Sequence, residues 1–201
     1  REKYDIPNLV HSPEFLTARC AIQDAQMPAR NIIGDPTLRR FTNNPTGITQ
    51  SSTCSPCLGR LFDLYERRFP GVPIHVLTSD ESEAVKLFQN SFFAVKVAFW
   101  NECRALSDKL GMDWERVLQA VLADGRIGNS HTKVPGPDGK RGYGGECLKK
   151  DIANLIDCID RAELSSLVTT AAMVRNKADR YEHSPDMKMA IAIGEHIERQ
   201  I

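Results

Sequence analysis

The stretch GYGGECLKKD, residues 142–151, places three glycines within the five residues before a cysteine and an aspartate four residues after it. Glycine allows tight backbone turns and the close approach of a ligand. A helix that begins near Glu146 or Cys147 would hold the thiol beside unpaired backbone amides, which favours the nucleophilic thiolate. Asp151 would lie one turn further along, where a carboxylate can orient a water or accept a proton. The pattern predicts a reactive thiol, although a buried, inert cysteine behind an ordinary turn fits the same spacing.

A second polar pair lies in the apolar stretch AVKLFQNSFF, where Lys86 and Asn90 are i, i+4 neighbours on a predicted helix. A lysine on the apolar side of a buried helix is costly unless it is paired or used chemically. Such a cation could stabilise negative charge that develops on a substrate oxygen. A lysine whose stem lies on apolar surface while its ammonium reaches water fits the pattern as well.

Strands and one helix alternate in the part of the chain that precedes these residues. Short runs rich in Val, Ile or Leu predict strands at residues 8–12, 30–35 and 73–79. Between the second and third, PCLGRLFDLYERRF repeats apolar residues at helical spacing. Strand, helix and strand in this order predict an α/β unit with parallel pairing, in a domain that covers residues 1–79.

The remaining domain, residues 80–201, is predicted to be mostly α. No Pro or Gly occurs over residues 80–110, which predicts one helix about 45 Å long. Its middle is apolar almost all round, so we expect it to be buried on several sides. MDWERVLQAVLAD predicts a shorter amphipathic helix, and residues 125–145 predict a loop. From residue 147 the pattern is helical to the end, with a break near Ser184-Pro185.

The bulk composition argues against several functions. Basic and acidic side chains number 26 each, so neither nucleic acid nor an anionic membrane is expected as a partner. The longest apolar run, SFFAVKVAFW, is too short to span a bilayer, and the first residues lack the pattern of a signal peptide. The six cysteines do not resemble a disulfide framework, which predicts a protein of the reducing cytoplasm.

Two of the cysteines, Cys54 and Cys57 in TCSPC, allow other interpretations. A thioredoxin-like redox pair should follow a strand and open a helix, but NNPTGITQSS before it is loop-like. A structural zinc site would need a second Cys/His pair at suitable spacing, which the sequence does not offer. We therefore expect ordinary thiols at a helix start, and no metal.

Four motifs, in order and at matching spacing, resemble those of the nucleotide-sugar dehydrogenases, the UDP-glucose/GDP-mannose dehydrogenase family. The likeness is greatest to members that oxidise UDP-glucose. It implies a partial Rossmann-like sheet followed by a helical dimerisation domain, with a homodimer formed through the long helix at residues 80–110. It also implies NAD-dependent oxidation of a nucleotide-sugar C6 alcohol to a carboxylate. The motifs are HSPEFL (11–16), EAVKLFQNSFFAVKVAFWNE (83–102), DGRIG (124–128) and GYGGECLKKD (142–151).

The resemblance further implies catalytic roles for five residues. Cys147 would attack an aldehyde to form a thiohemiacetal and then a thioester, and Asp151 would work with an ordered water in proton transfer. Lys86 would stabilise the developing oxyanion, while Asn90 would help to hold the water and the substrate. Glu14 would lie beside the reacting carbon, close to the cofactor, and take part in thioester hydrolysis.

The resemblance implies that the other residues that match the family motifs bind the substrate or the cofactor. Arg126 corresponds to an arginine that reaches into the sugar site of a neighbouring subunit, and Lys150 to a lysine near the cofactor. The substrate-binding set that the resemblance implies is Phe15, Leu16, Arg126, Lys133, Tyr143, Gly144 and Gly145.

The sequence departs from the family pattern in residue type and in length. Ala18 stands where a second acidic residue is usual, Glu146 replaces a small polar residue, and Lys149 stands where Pro or Gln is common. The strand and G-x-G-x-x-G turn that bind a dinucleotide are not in the sequence. We therefore expect part of a longer polypeptide or a shortened relative. The alternative function is a non-catalytic module for dimerisation or nucleotide-sugar binding.

Overall fold

The computed structural model describes residues 9–17, 19–38 and 56–180. It divides into two compact units, Arg1–Lys86 and Leu87–Ile201. The first unit contains α1 (Ala21–Gln26), β1 (Asn31–Asp35), α2 (Pro56–Arg68) and β2 (Ile74–Thr78). Helix α3 (Ser79–Leu110) begins in the first unit, but most of its residues belong to the second. The second unit also contains α4 (Trp114–Leu122), α5 (Glu146–Arg161) and α6 (Leu167–Arg180).

The described sheet of the first unit is a parallel pair of strands. β1 and β2 are in register with Ile33 opposite Val76, and all five residues of β1 are buried. A parallel pair needs a crossover, which here includes α2. The strands predicted at residues 30–35 and 73–79 are confirmed to within one residue at each end. The predicted class, α/β followed by mostly α, is confirmed as well.

The third predicted strand, at residues 8–12, is wrong for the residues described, which begin at Leu9. Only His11 pairs with the sheet, through an isolated antiparallel bridge to Gly34 with N–H···O distances of 2.8 and 2.7 Å. Pro13 follows two residues later and has no N–H to donate, so the pairing does not extend. Helix α1 was not predicted from the sequence, because none of its six residues is buried and they carry no apolar periodicity.

Helix α3 has well-defined ends. At its start the Thr78 N–H donates to Glu81 Oε2 (2.9 Å) and the Glu81 N–H donates to Thr78 Oγ1 (3.3 Å), which is a capping box. At its end Gly111 has a φ of +68°, and the Met112 N–H donates back to the Ser107 carbonyl (2.9 Å). The predicted single helix over residues 80–110 is therefore confirmed.

The second unit is built around two hydrophobic clusters. In the first, the small side chains of Ala94 and Ala98 on α3 leave room for the Tyr143 ring and for Ile152 of α5. In the second, the rings of Trp100 and Trp114 meet edge to face, with centroids 6.0 Å apart. Among the residues described, none of the helices combines the length and the apolar character needed to cross a membrane.

One face of α3 is left uncovered by the described residues, so the expectation that this helix is buried on several sides is not met within this part of the single chain. The described elements pack on the opposite face through the two clusters. Five large apolar side chains on the uncovered face are each between 54% and 61% exposed: Phe88, Phe92, Phe99, Leu106 and Leu110.

The predicted continuous helix over the last part of the chain is also wrong, because the chain turns between α5 and α6. Glu163 has a φ of +57°, and the N–H groups of Glu163 and Leu164 donate to the carbonyls of Asp160 (3.0 Å) and Ile159 (3.1 Å). Such a helix end usually places Gly or Asn at the left-handed position, so the sequence carried no signal for it. The break predicted at residues 184–185 lies outside the described residues.

Candidate active site

Polar contacts hold the segment before Glu14 against the sheet of the first unit. His11 Nδ1 lies 2.8 Å from Ser82 Oγ, and Ser12 Oγ donates to the Ile32 carbonyl at 3.0 Å. Helix α3 approaches β1 closely here, since a Cβ at Gly34 would lie only 2.5 Å from Ser82 Cβ. These contacts fix the backbone that leads into the predicted catalytic glutamate.

Glu14 and Lys86, which were predicted from separate motifs, meet in the first unit. Lys86 Nζ donates to the Glu14 carbonyl oxygen at 2.6 Å and lies 3.3 Å from Glu14 Oε1. Glu14 Oε2 accepts a hydrogen bond from the Leu16 N–H (2.6 Å), and Lys86 Nζ lies 5.4 Å from the centre of the Phe15 ring. Lys86 is therefore paired with protein groups rather than only with water. Because the Glu14 side chain is 61% exposed, this ion pair contributes little stability, and the carboxylate stays accessible.

Asn90 and Asp151 form a buried hydrogen bond in the second unit. Asn90 Nδ2 donates to Asp151 Oδ2 at 2.5 Å, and both residues are less than a tenth exposed. Lys150 Nζ lies 3.4 Å from the other carboxylate oxygen, Oδ1. The two contacts orient the carboxylate, and its remaining lone pairs are available to a water or a substrate group.

Cys147 is the second residue of α5, and its side chain is exposed. The predicted helix start is therefore confirmed, and the burial that the alternative interpretation of Cys147 required is wrong, while the reactivity of the thiol stays a prediction. Gly145 precedes the helix with a φ of +72° and provides no side-chain cap, which leaves the first amides of α5 beside the thiol. A Cβ at Gly145 would meet no atom within 4 Å, so glycine is favoured here for its backbone conformation.

Side chains from α3 and α6 bind the backbone just before this helix start. Asn101 Oδ1 accepts from the Gly142 N–H (3.0 Å), and Asn176 Oδ1 accepts from the Tyr143 N–H (2.6 Å). Arg180 donates to the carbonyls of the same two loop residues, at 3.1 and 3.2 Å. No pattern in the sequence indicates a role for these three side chains, because a polar residue in an amphipathic helix carries no local sign of a long-range contact.

The binding residues predicted in the loops differ in exposure, since Tyr143 is buried and Arg126 is exposed. The Tyr143 ring is only 3% exposed, and this burial raises the pKa of its hydroxyl to about 12. The segment therefore presents its backbone at Gly144 and Gly145 rather than the tyrosine ring. Arg126 is 86% exposed and donates to both carboxylate oxygens of Asp124, at 2.5 and 2.6 Å. These bonds from Arg126 lower the pKa of the Asp124 carboxyl.

Lys133 is exposed, and the described residues show no side-chain hydrogen bond that joins Lys133 or Arg126 to Cys147. Within the same part of the chain, no group of three or more His, Cys, Asp and Glu could hold a metal ion. Of the pair considered for redox chemistry, Cys54 lies outside the described residues, and Cys57 lies in the first turn of α2.

Comparison with known proteins gives consistent matches. Residues 80–178 match the model of the UDP-glucose/GDP-mannose dehydrogenase family, central domain. A UDP-glucose 6-dehydrogenase from Campylobacter jejuni is 33% identical over 156 residues, which are 78% of this chain and 34% of that protein. A protein of the same name from Gallus gallus is 33% identical over 154 residues, 75% of this chain and 28% of the relative. The chain thus spans about a third or less of the length of these relatives.

A solved structure gives the same result for the fold. The structure of a UDP-glucose dehydrogenase from the hyperthermophilic archaeon Pyrobaculum islandicum matches with a TM-score of 0.66 and 28% sequence identity. The match covers 84% of this chain and 33% of that chain. The similarity therefore includes residues of both units.

Proposed function

Because this chain belongs to the UDP-glucose/GDP-mannose dehydrogenase family, we propose that it forms the acyl-transfer part of an NAD-dependent dehydrogenase. The reaction would oxidise the C6 alcohol of UDP-glucose, or of a closely related nucleotide sugar, to a carboxylate. One observation carries the proposal: Asp151, which accepts a buried hydrogen bond from Asn90 of α3, lies one turn along the helix whose first turn exposes Cys147. A nucleophile, a proton acceptor and an orienting amide are the groups that this chemistry needs.

Cys147 would supply the nucleophile. Its thiolate adds to the C6 aldehyde to form a thiohemiacetal, loss of hydride gives a thioester, and water then releases the carboxylate and regenerates the thiol. NAD⁺ would supply the hydride acceptor when bound, and two are needed because alcohol to carboxylate is a four-electron oxidation. The exposure of the thiol at the start of α5 supports this role, since a nucleophile must reach its substrate.

Asp151 would accept the proton of the attacking water, and Asn90 would hold the carboxylate in position for that transfer. A positioned general base typically contributes a factor of about 100 to 10,000 in rate. Lys150, which contacts Asp151 Oδ1, is proposed to lie near the cofactor. This contact places the positive charge of the Lys150 ammonium beside Asp151, the proposed base.

Lys86 would stabilise the oxyanion of the thiohemiacetal and of the hydrolysis step. Its ammonium carries three N–H donors, and the Glu14 carbonyl and carboxylate occupy two of them. One donor thus remains for a substrate oxygen. Glu14 would assist thioester hydrolysis.

This chain is proposed to supply only some of the residues that bind the cofactor. A parallel strand pair such as β1–β2 belongs to the sheets that bind dinucleotides at their carboxyl edge. Glu14 and Lys150 are the residues proposed to lie beside the bound cofactor. The glycine-rich turn that holds a pyrophosphate is not in the sequence, so no residue of this chain is assigned to the pyrophosphate.

Substrate binding is proposed for the residues that flank the catalytic ones. Arg126 projects from an exposed loop, which suits a residue that reaches the sugar site of a neighbouring subunit. The six cysteines of the sequence do not resemble a disulfide framework, which supports the proposal of a reducing, cytoplasmic location. The residues proposed to contact the substrate are Phe15, Leu16, Arg126, Lys133, Gly144 and Gly145, while the buried Tyr143 would hold the segment in place.

The uncovered face of α3 is proposed to form a homodimer interface. Its five apolar residues fall within about 40° around the helix and extend over roughly 33 Å of its length. We expect Phe92→Asp to convert the dimer to a monomer, because a carboxylate buried in that interface would be unpaired. Sedimentation of the natural polypeptide would measure this change. Leu164→Asp, at a residue 67% exposed, serves as the control, and an unchanged dimer in the Phe92 variant would contradict the assignment.

The function is tested by NADH formation in the natural polypeptide that carries this sequence. UDP-glucose, GDP-mannose and a UDP-N-acetylated hexosamine would be compared as substrates. We expect two NADH for each UDP-glucose consumed, with a UDP-glucuronate-type carboxylate as product. Binding of UDP-glucose without NADH formation from any of the sugars would favour the alternative, a non-catalytic nucleotide-sugar-binding or dimerisation module.

A further inference from the structure

We propose that Asn101, Asn176 and Arg180, here called the loop clamp, are positioning residues that set the place of the Cys147 thiol. This inference rests on the proposed role of Cys147 as the nucleophile. The clamp acts on the backbone at residues 142–143, and only Gly144 and Gly145 separate that backbone from the first residue of α5. A displacement of the clamped backbone would therefore move the helix start and its thiol.

Asn101 connects the loop to the long helix. Its side chain is 1% exposed, its Nδ2 donates to the Val97 carbonyl on the same helix (2.8 Å), and its Oδ1 accepts from the Gly142 N–H (3.0 Å). Because both ends of the amide are bonded, its orientation is fixed. A buried N–H that loses such an acceptor is costly, so the bond restrains the loop strongly.

Asn176 and Arg180 restrain the loop from α6. Asn176 is 6% exposed, and its Oδ1 accepts from the Tyr143 N–H at 2.6 Å. Arg180 contacts three groups of the loop: the carbonyls of Gly142 and Tyr143, and the Asp138 carboxylate at 2.7 Å. A planar guanidinium with three fixed partners holds the loop in one geometry.

The glycines before the cysteine are explained by the approach of these side chains. A Cβ at Gly142 would lie 2.5 Å from Asn176 Oδ1, and Gly142 also has a φ of +67°. A Cβ at Gly144 would lie 2.6 Å from the Arg180 guanidinium. Both glycines therefore serve the clamp, whereas Gly145 serves the helix start. The clamp side chains and the glycines of the motif therefore act together to position the thiol. A small displacement of a reacting group lowers the rate of the chemical step strongly.

The first test compares Asn176→Ala with Asn176→Asp in the natural polypeptide. Alanine removes the acceptor of the Tyr143 N–H, while aspartate keeps an oxygen in its place. We expect the alanine variant to lower kcat for UDP-glucose at least about tenfold, with the KM for NAD⁺ changed less than about threefold. The aspartate variant should recover kcat to within about threefold. Lys177→Ala, at an exposed residue of the same helix, is the control and should not change kcat.

The second test measures the thiol without turnover, by the rate of alkylation with iodoacetamide. Cys158 is also exposed and lies on the same helix, so it is an internal reference. We expect Asn176→Ala and Asn101→Ala to slow alkylation of Cys147 at least about fivefold while Cys158 stays within about twofold. Equal changes at both thiols, or no change at Cys147, would overturn the proposal, because either result indicates a purely structural role.

The two proposals can fail separately. If the unaltered polypeptide forms no NADH from any nucleotide sugar, the proposed function fails. The ratio of alkylation rates at the two cysteines then decides whether the clamp positions Cys147. If NADH forms and the alanine variant lowers neither kcat nor the alkylation rate of Cys147, the clamp is overturned and the proposed function stands.

Discussion

Replacement of Cys147 by serine is expected to lower the rate of carboxylate formation from UDP-glucose at least about 1,000-fold. A hydroxyl is not ionised near neutral pH and has no adjacent base comparable to a serine hydrolase triad, so the acyl-enzyme step fails. The side chain is exposed in the first turn of α5, and serine occupies nearly the same volume. The melting temperature should therefore stay the same. NADH release and product analysis measure the effect.

Cys158→Ser is the matched control for this change. Cys158 is exposed on the same helix, three turns further along, and its thiol lies 3.9 Å from Asn154 Oδ1. It should keep the full rate. If Cys147→Ser retained a tenth or more of the activity, a cysteine-bound intermediate would be ruled out, and the assignment of the nucleophile with it.

Replacement of Asp151 by asparagine is expected to lower kcat by a factor of about 100 or more, the usual contribution of a positioned general base. The change keeps the shape of the side chain, and the amide oxygen can still accept from Asn90 Nδ2, which lies 2.5 Å away in the native pair. The protein should fold normally but lack a group that accepts a proton. Steady-state rates, with circular dichroism to check the fold, measure the outcome.

Asp157→Asn separates this effect from a general loss of charge on α5. Asp157 lies on the same helix and forms a surface ion pair with Arg161 at 2.7 Å, which contributes little stability. Its replacement should leave kcat within about twofold. An Asp151 variant that kept a third of the native kcat would show that proton transfer does not depend on this carboxylate.

Several elements could be predicted from the sequence because their signals are local. The 32-residue α3 runs between a Thr-x-x-Glu capping box and a left-handed glycine, and the sequence shows no Pro or Gly in between. The buried strand β1 and the partly exposed strand β2 carry Ile, Val and Leu at the right length. The turn at Glu163 was missed because a non-glycine residue occupies a left-handed position there. His11 was assigned to a strand, yet it makes only one bridge.

The sequence by itself determined which side chains share a helix, and so it placed Cys147 and Asp151 one turn apart on α5. Only the tertiary structure decided that Lys86 meets Glu14 across 72 residues and that Asn90 meets Asp151 across 61. The contacts of the loop clamp likewise join residues 33 to 42 apart. Helical periodicity is a property of neighbouring residues, whereas these partners are chosen by how the packed helices and the loop come together, which no local pattern encodes.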